Sequence, residues 1–465
     1  MPGVPSGRGC EACRKQKKKC DQAQPSCARC ARLNIPCVGG GVRRFKFMDQ
    51  GVVVKMAVNR KTDPQPQTRA PTPRFLPSSE TNAIANAFVC MMEVTDVRYD
   101  ISCYGGFLKQ VPSRLGTSPV LDASVTALTH ASAALYTRQD HVEVFQKYGH
   151  GLSVLRTALS NAHESHSADT LCAIYFLMIA EGWIMRKYDI CAGHVSGMAY
   201  VLNILAAKKD PDPFEQDLLR TLCLPVLLVS ILDPTVKLPT SVMRQITVAG
   251  PRRPILNNEN APIRSLQVTT FAKYPDLVHH PELHFSDLVA TYQQMHLEYA
   301  ILRRRLDTTT VDIAAEANRV PNLKTMRLQA LFQVGCSLVL TLAIILNRVY
   351  HTCDPLEPGL DDDLNHFCRE SFTLAEAALP HRPLGSSPIP LNLTIAWAVV
   401  RDAHLREQIE GMIEVYEASY IKTPWKASAF LLQQHLTQLR LRMASLRQSE
   451  DIFRTVTNSS FATPS

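Results

Sequence analysis

Six cysteines close to the start of this sequence carry its clearest chemistry. They read Cys10-x2-Cys13-x6-Cys20-x6-Cys27-x2-Cys30-x6-Cys37, one unit of Cys-x2-Cys-x6-Cys written twice. A closed structural zinc site takes four ligands in a tetrahedron, and thiolates serve it well. Two separate sites would need eight ligands, yet only six thiolates are present and residues 1–60 contain no histidine. Sharing resolves the count, since two thiolates that each bridge both metals let six sulfurs fill eight positions. The spacing therefore predicts a binuclear cluster of two Zn²⁺ ions held by Cys10, Cys13, Cys20, Cys27, Cys30 and Cys37. In a reducing compartment such regular spacing means metal rather than disulfides.

Charge follows the same asymmetry. Residues 1–60 hold thirteen Lys and Arg against Glu11, Asp21 and Asp49, while the whole chain of 465 residues carries only +8. A basic end on a near-neutral body points to a polyanion partner, nucleic acid first. Five of the thirteen lie in the first spacer, Arg14-Lys15-Gln16-Lys17-Lys18-Lys19; the second, Ala31 to Pro36, has only Arg32. Two halves alike in metal geometry can thus differ in task, the basic one expected to meet the polyanion and the other to serve as scaffold.

This pattern resembles the fungal zinc binuclear cluster, Zn(II)2Cys6, family of transcription factors. The resemblance rests on the six ligands, the basic run, and Pro25 two residues before the fourth cysteine. It implies that Cys10 and Cys27 bridge the metals, and that Pro25 turns the loop between the halves through a cis peptide bond. It also implies a short helix after the first cysteine pair that enters the major groove of double-stranded DNA and reads a CGG triplet. Lysine donors there meet guanine acceptors. Lys17 matches the family's base-reading lysine, and Arg14 and Lys19 match positions that meet phosphates. Lys15 and Lys18 complete the expected DNA-binding set, with a solvated face as their alternative. Gln16 departs from the family's usual Lys or Arg and removes one expected contact. The function implied is a nuclear, sequence-specific regulator of RNA polymerase II genes. In many filamentous-fungal members it controls one biosynthetic or catabolic gene cluster.

Behind the cluster the chain must hold and regulate it. Gly39-Gly40-Gly41 makes a joint, Arg43-Arg44-Phe45-Lys46-Phe47 adds basic and aromatic side chains, and Pro64, Pro66, Pro71, Pro73 and Pro77 keep the chain extended. We expect a cluster domain at 1–45, a flexible linker at 46–79, an all-helical domain at 80–448 and a disordered tail at 449–465. The fold class is a small metal-stabilised Zn2Cys6 module plus a large all-α domain. Helices are predicted near 121–137, 168–182, 190–207, 214–232, 285–306, 323–349, 361–379, 391–421 and 426–448, with Pro-rich breaks near 233–263 and 380–390. Phe145, Tyr148, Leu152, Leu155 and Leu159 repeat as one apolar helix face. The Ile84, Phe88, Met91 pattern lasts under two heptads, too short for a coiled coil. Any homodimer is expected through the helical domain. That domain is similar to the regulatory helical domain of fungal factors in Gly193-His194-Val195-Ser196-Gly197, Val201-Leu202 and His381-Arg382-Pro383-Leu384-Gly385 leading into Leu391–Trp397, which implies coregulator contacts.

No catalytic set is expected. His163-Glu164-Ser165-His166 is too short for the zinc-protease motif, and His279-His280-Pro281-Glu282-Leu283-His284 carries an interior proline. The Gly193–Gly197 segment lies in a helical pattern, not at a nucleophile elbow. Asp361-Asp362-Asp363 fits a helix start, where carboxylates are favoured. The other eight cysteines are expected as small buried apolar residues. The longest apolar run, Val334 to Leu346, is too short to span a bilayer, and Met1 to Gly9 holds no apolar stretch. A soluble, intracellular, non-enzymatic protein with no membrane contact is expected. The competing reading is a helical enzyme or ligand-binding protein with an accessory zinc module. Deleting residues 1–45 separates the two readings, according to whether all function or only nuclear function is lost.

Overall fold

The computed structural model describes residues 9–23, 25–37, 79–138, 142–184, 191–208, 210–238, 242–243, 263–315, 322–419 and 426–460. For Arg14, residues 191–194, Ala427 and residues 449–460 it describes the backbone alone. The glycine joint, the Arg43–Phe47 stretch, the prolines of the linker and most of the 233–263 break lie outside the described residues, as does the Gln24–Pro25 peptide bond. The chain divides into two units, Met1–Arg74 and Phe75–Ser465. Among the described residues every regular element is a helix, and no strand occurs.

The first unit has two five-residue helices, Glu11–Lys15 and Ala28–Arg32, each placed directly after the first cysteine of its repeat. Their core consists of Cys10, Cys13, Cys27 and Cys30, all fully buried. No aliphatic side chain is fully buried with them, so metal rather than apolar burial must hold so small a segment together.

The second unit is built on two apolar cores. The first gathers residues of the helices Glu80–Met92, Pro119–Thr137, Val142–Ser160, Ala168–Ile184 and Cys191–Ala206. The second gathers Phe285–Ala315, Leu323–Cys353, Leu360–Ala378, Ile389–Val399, Ala403–Glu417 and the start of Lys426–Ser460. Helix Pro213–Leu232 serves both: Leu218, Leu219 and Leu222 face the first core, Leu227 and Ile231 the second. Its start is encoded locally by Pro213 at the first position and a capping box between Asp212 and Glu215. A salt bridge of 2.6 Å from Arg327 to the buried Asp100 also joins the halves.

Several expectations are corrected. The stripe on Val142–Ser160 is rotated: Val144, Tyr148, Gly151, Leu155 and Ala158 are buried, whereas Phe145 and Leu159 are exposed. Close approach decides the face, because a Cβ on Gly151 would stand 2.8 Å from Leu177 Cδ2. The predicted helix 391–421 is two helices, broken at Val400–Asp402, where the Asp402 side chain accepts from the N–H groups of His404 and Leu405 and starts a new helix. The last helix runs to Ser460, into the stretch expected to be a disordered tail. The run Val334–Leu346 lies in a helix of 31 residues that is long and apolar enough to cross a membrane by length and composition. That helix is the centre of the second core instead, with 72% of its most apolar window buried. Of the eight outlying cysteines, Cys172, Cys223, Cys336 and Cys368 are buried and Cys353 is half-buried, but Cys90 and Cys103 are exposed. The Cys191 side chain lies outside the described residues. The short Ile84, Phe88, Met91 pattern is consumed at home, with Phe88 and Met91 buried in the first core.

His163 and His166 sit exposed in the turn before Ala168, while His279 is buried with Nε2 2.9 Å from the Ser230 carbonyl. Asp361, Asp362 and Asp363 occupy the first turn of Leu360–Ala378. Val201 and Leu202 are buried, and the His194 side chain lies outside the described residues. His381 is buried with Nδ1 2.7 Å from Gln333 Oε1, and Gly385 packs where a Cβ would lie 3.0 Å from the Val97 carbonyl oxygen.

Candidate metal centre and nucleic-acid interface

The repeat of the sequence is repeated in the backbone at an offset of seventeen residues. The Lys18 N–H donates to the Cys13 carbonyl at 2.9 Å, and the Ile35 N–H to the Cys30 carbonyl at 3.1 Å. The Cys10 N–H donates to Cys20 Sγ at 3.5 Å, and the Cys27 N–H to Cys37 Sγ at 3.3 Å. Lys17 and Asn34, one in each half, both adopt left-handed backbone, with φ of 51° and 49°.

These two half-sites meet at their sulfurs. One group of four is Cys10, Cys13, Cys20 and Cys27, the other Cys10, Cys27, Cys30 and Cys37, and within each group the sulfurs lie within 4.8 Å of one another. Cys10 and Cys27 belong to both groups, as bridging requires. Zinc–sulfur bonds of about 2.3 Å place tetrahedral sulfurs about 3.8 Å apart. The Cys10–Cys27 and Cys13–Cys27 separations are both 3.8 Å and Cys10–Cys30 is 3.5 Å, so the donor set fits two zinc ions.

Surrounding groups prepare the thiols unequally. Cys20 is pulled down to about 7, first by the Cys10 N–H and then by that of Gln22. Cys37 is held below its ordinary value, first by the Cys27 N–H. Burial pushes Cys30 the other way. A coordinated thiol is deprotonated outright, which is the chemistry zinc supplies to the buried members.

Two supporting residues had no signal in the spacing. Asp21 reaches across the inter-half loop and accepts from the Ala28 N–H at 3.1 Å, capping the second helix. Arg29 of the scaffold half donates to Gln16 Oε1 and lies 3.9 Å from Cys13 Sγ. Gln16, which breaks the expected basic run, is thus tied to the second half. Both contacts join residues from opposite halves, which no local pattern shows.

Of the expected DNA-binding residues, Lys15, Lys17, Lys18 and Lys19 are all exposed. Lys15 pairs with Glu11 at 3.4 Å, an exposed i,i+4 pair of small energetic weight. Lys17, Lys18 and Lys19 make no ion pair among the described residues. Arg14 lies on the first helix, and its side chain is outside the described residues.

The model of the fungal Zn(2)-Cys(6) binuclear cluster domain matches residues 8–43. Over 50 residues, 11% of this chain, the sequence is 44% identical to transcription factor dibT of Pestalotiopsis microspora. Over 56 residues, 12% of the chain, it is 41% identical to the pestheic acid cluster transcriptional regulator 3 of Pestalotiopsis fici. The matches span 8% and 10% of those two relatives. No solved structure matches the chain. Matched family model, doubled backbone pattern and shared sulfurs agree: residues 8–43 are a fungal Zn(2)-Cys(6) binuclear cluster domain, and its six cysteines bind two zinc ions.

Proposed function

We propose that this protein is a DNA-binding transcription regulator of RNA polymerase II genes, acting in the nucleus and reading CGG-type triplets through its zinc cluster. Lys17 reads the bases, while Arg14, Lys15, Lys18 and Lys19 hold the phosphates. The observation that carries this reading is the backbone of Lys17. Left-handed backbone costs an ordinary residue about 1–2 kcal/mol, and Asn tolerates it better than Lys. The scaffold half obeys that preference with Asn34, whereas the basic half keeps an exposed lysine at the same angle. Strain of this kind persists where a side chain is needed in one place.

The remaining assignments follow the same reading. The cluster domain at 1–45 binds DNA, 46–79 links it, and the helical domain at 80–448 dimerises and receives coregulators. One relative is named as a pestheic acid cluster transcriptional regulator, which supports a local gene cluster as the target. The test is Lys17→Asn in zinc-loaded protein, a change that suits the backbone and spares the fold. Affinity for CGG DNA should fall to that for scrambled DNA, while most of the salt-dependent background affinity remains. An intact preference for CGG would remove Lys17 from its role.

A further inference from the structure

The second core of the helical domain gathers cations around a single carboxylate. Arg348 and His351 lie one turn apart near the end of helix Leu323–Cys353, Arg401 sits in the break before Ala403, and Arg440 lies on the last helix. Asp361, half-exposed, faces three of them: Arg401 Nη1 at 2.6 Å, Arg348 Nη1 at 3.5 Å and His351 Nε2 at 3.9 Å. The short contact goes to Arg401, which is itself exposed, and the long one to Arg348, which is only 5% exposed.

That allocation is the reverse of what a structural ion pair needs. A guanidinium carries five donors. Among the described residues the Arg348 guanidinium has one hydrogen bond, to Asp361 at 3.5 Å, at the outer edge of useful length. A buried cation is costly unless well paired, yet further cations stand beside this one. Burial first, then Arg401, hold the Arg348 guanidinium below its ordinary value, with Arg440 adding to them and Asp361 opposing. His351 is lowered likewise, by burial, then by Arg348, with Asp361 opposing and Arg401 and Arg440 adding.

We propose that Arg348 and Arg401, with His351, form a binding site for a small oxyanion, a phosphate ester or a carboxylate, and that Asp361 is the internal competitor the ligand displaces. Arginine forks match both oxyanions in bidentate geometry. The ligand completes the pairing of Arg348 and draws together the end of helix Leu323–Cys353 and the Arg401 break.

The test is thermal melting of the full-length zinc-loaded protein titrated with inorganic phosphate or with succinate, against chloride at equal ionic strength. Saturable stabilisation by phosphate, succinate or both supports the site, and the anion that saturates at lower concentration identifies the ligand class. The basic head also attracts anions, so the assignment depends on body variants at exposed positions. Arg401→Gln should weaken the apparent affinity about tenfold or more, the loss of one charge-assisted contact. Asp361→Asn should tighten it, an effect that mere loss of structure would not produce. Stabilisation equal to that by chloride, stabilisation unchanged in Arg401→Gln, or weaker binding by Asp361→Asn would each overturn the proposal.

Discussion

Membership of both sulfur groups sets Cys10 and Cys27 apart from the other four cysteines, and that difference is measurable. Each belongs to both sulfur groups, whereas Cys20 belongs to one. Cys27→Ser should therefore disturb both metal positions and leave little bound zinc, while Cys20→Ser should retain about one ion; native mass spectrometry counts them. Equal losses in the two variants would contradict shared ligation. All six ligands were legible in the sequence because the unit repeats in both type and spacing. Asp21 and Arg29 were not, because each acts on the opposite half of the module. In the body, Gly385 is a second kind of position that spacing does not reveal. A methyl group there would press on the Val97 carbonyl and on His381 Cβ. Gly385→Ala should destabilise the helical domain by about 1–3 kcal/mol, read as a lower denaturation midpoint; an unchanged midpoint would show that the backbone at Val97 yields freely.

Helices were legible wherever apolar period and caps agree, as at Pro213–Leu232 with its Asp212–Glu215 box. They were misread where a small residue or a polar cap overrode the period. Gly151 turns Val142–Ser160 toward Leu177, and Asp402 divides what looked like one long helix. Which helix faces meet is also hidden from local pattern, and one such meeting has a pH consequence. His435 of the last helix holds Nε2 3.1 Å from the Val278 carbonyl, and its ring meets that of His279 edge-on at 4.9 Å. Both imidazoles are held below their ordinary value, burial first; the second cause is the neighbouring His279 for His435, while for His279 the Ser230 carbonyl opposes burial. A depressed folded value means that the unfolded chain takes up protons first. Stability is therefore full above the ordinary value of about 6.5 and falls as pH drops through and below it. The melting temperature of the helical domain should decline between pH 7.5 and 5.5, and His435→Gln should flatten that decline. A variant as pH-sensitive as the parent would place the titrating groups elsewhere.

As a whole the molecule joins a metal-held reader to a body that folds by apolar burial. The six thiolates lie in the unit Met1–Arg74, and the two apolar cores lie in Phe75–Ser465. Removing zinc with a chelator should abolish DNA binding yet leave most of the helical circular-dichroism signal, since structural zinc supplies the folding free energy of so small a module. Collapse of that signal would mean that the body depends on the cluster. The proposed dimer contact is assigned to the body, because helix Glu80–Met92 spends Phe88 and Met91 inside its own core. The measurement that matters most is selection of binding sites from a randomised DNA pool, with full-length zinc-loaded protein at near-physiological salt. We predict enriched CGG triplets, paired at one fixed spacing, which would also report the geometry of the dimer. No enrichment over scrambled DNA, with zinc confirmed in place, would contradict the assignment of this protein as a sequence-reading regulator.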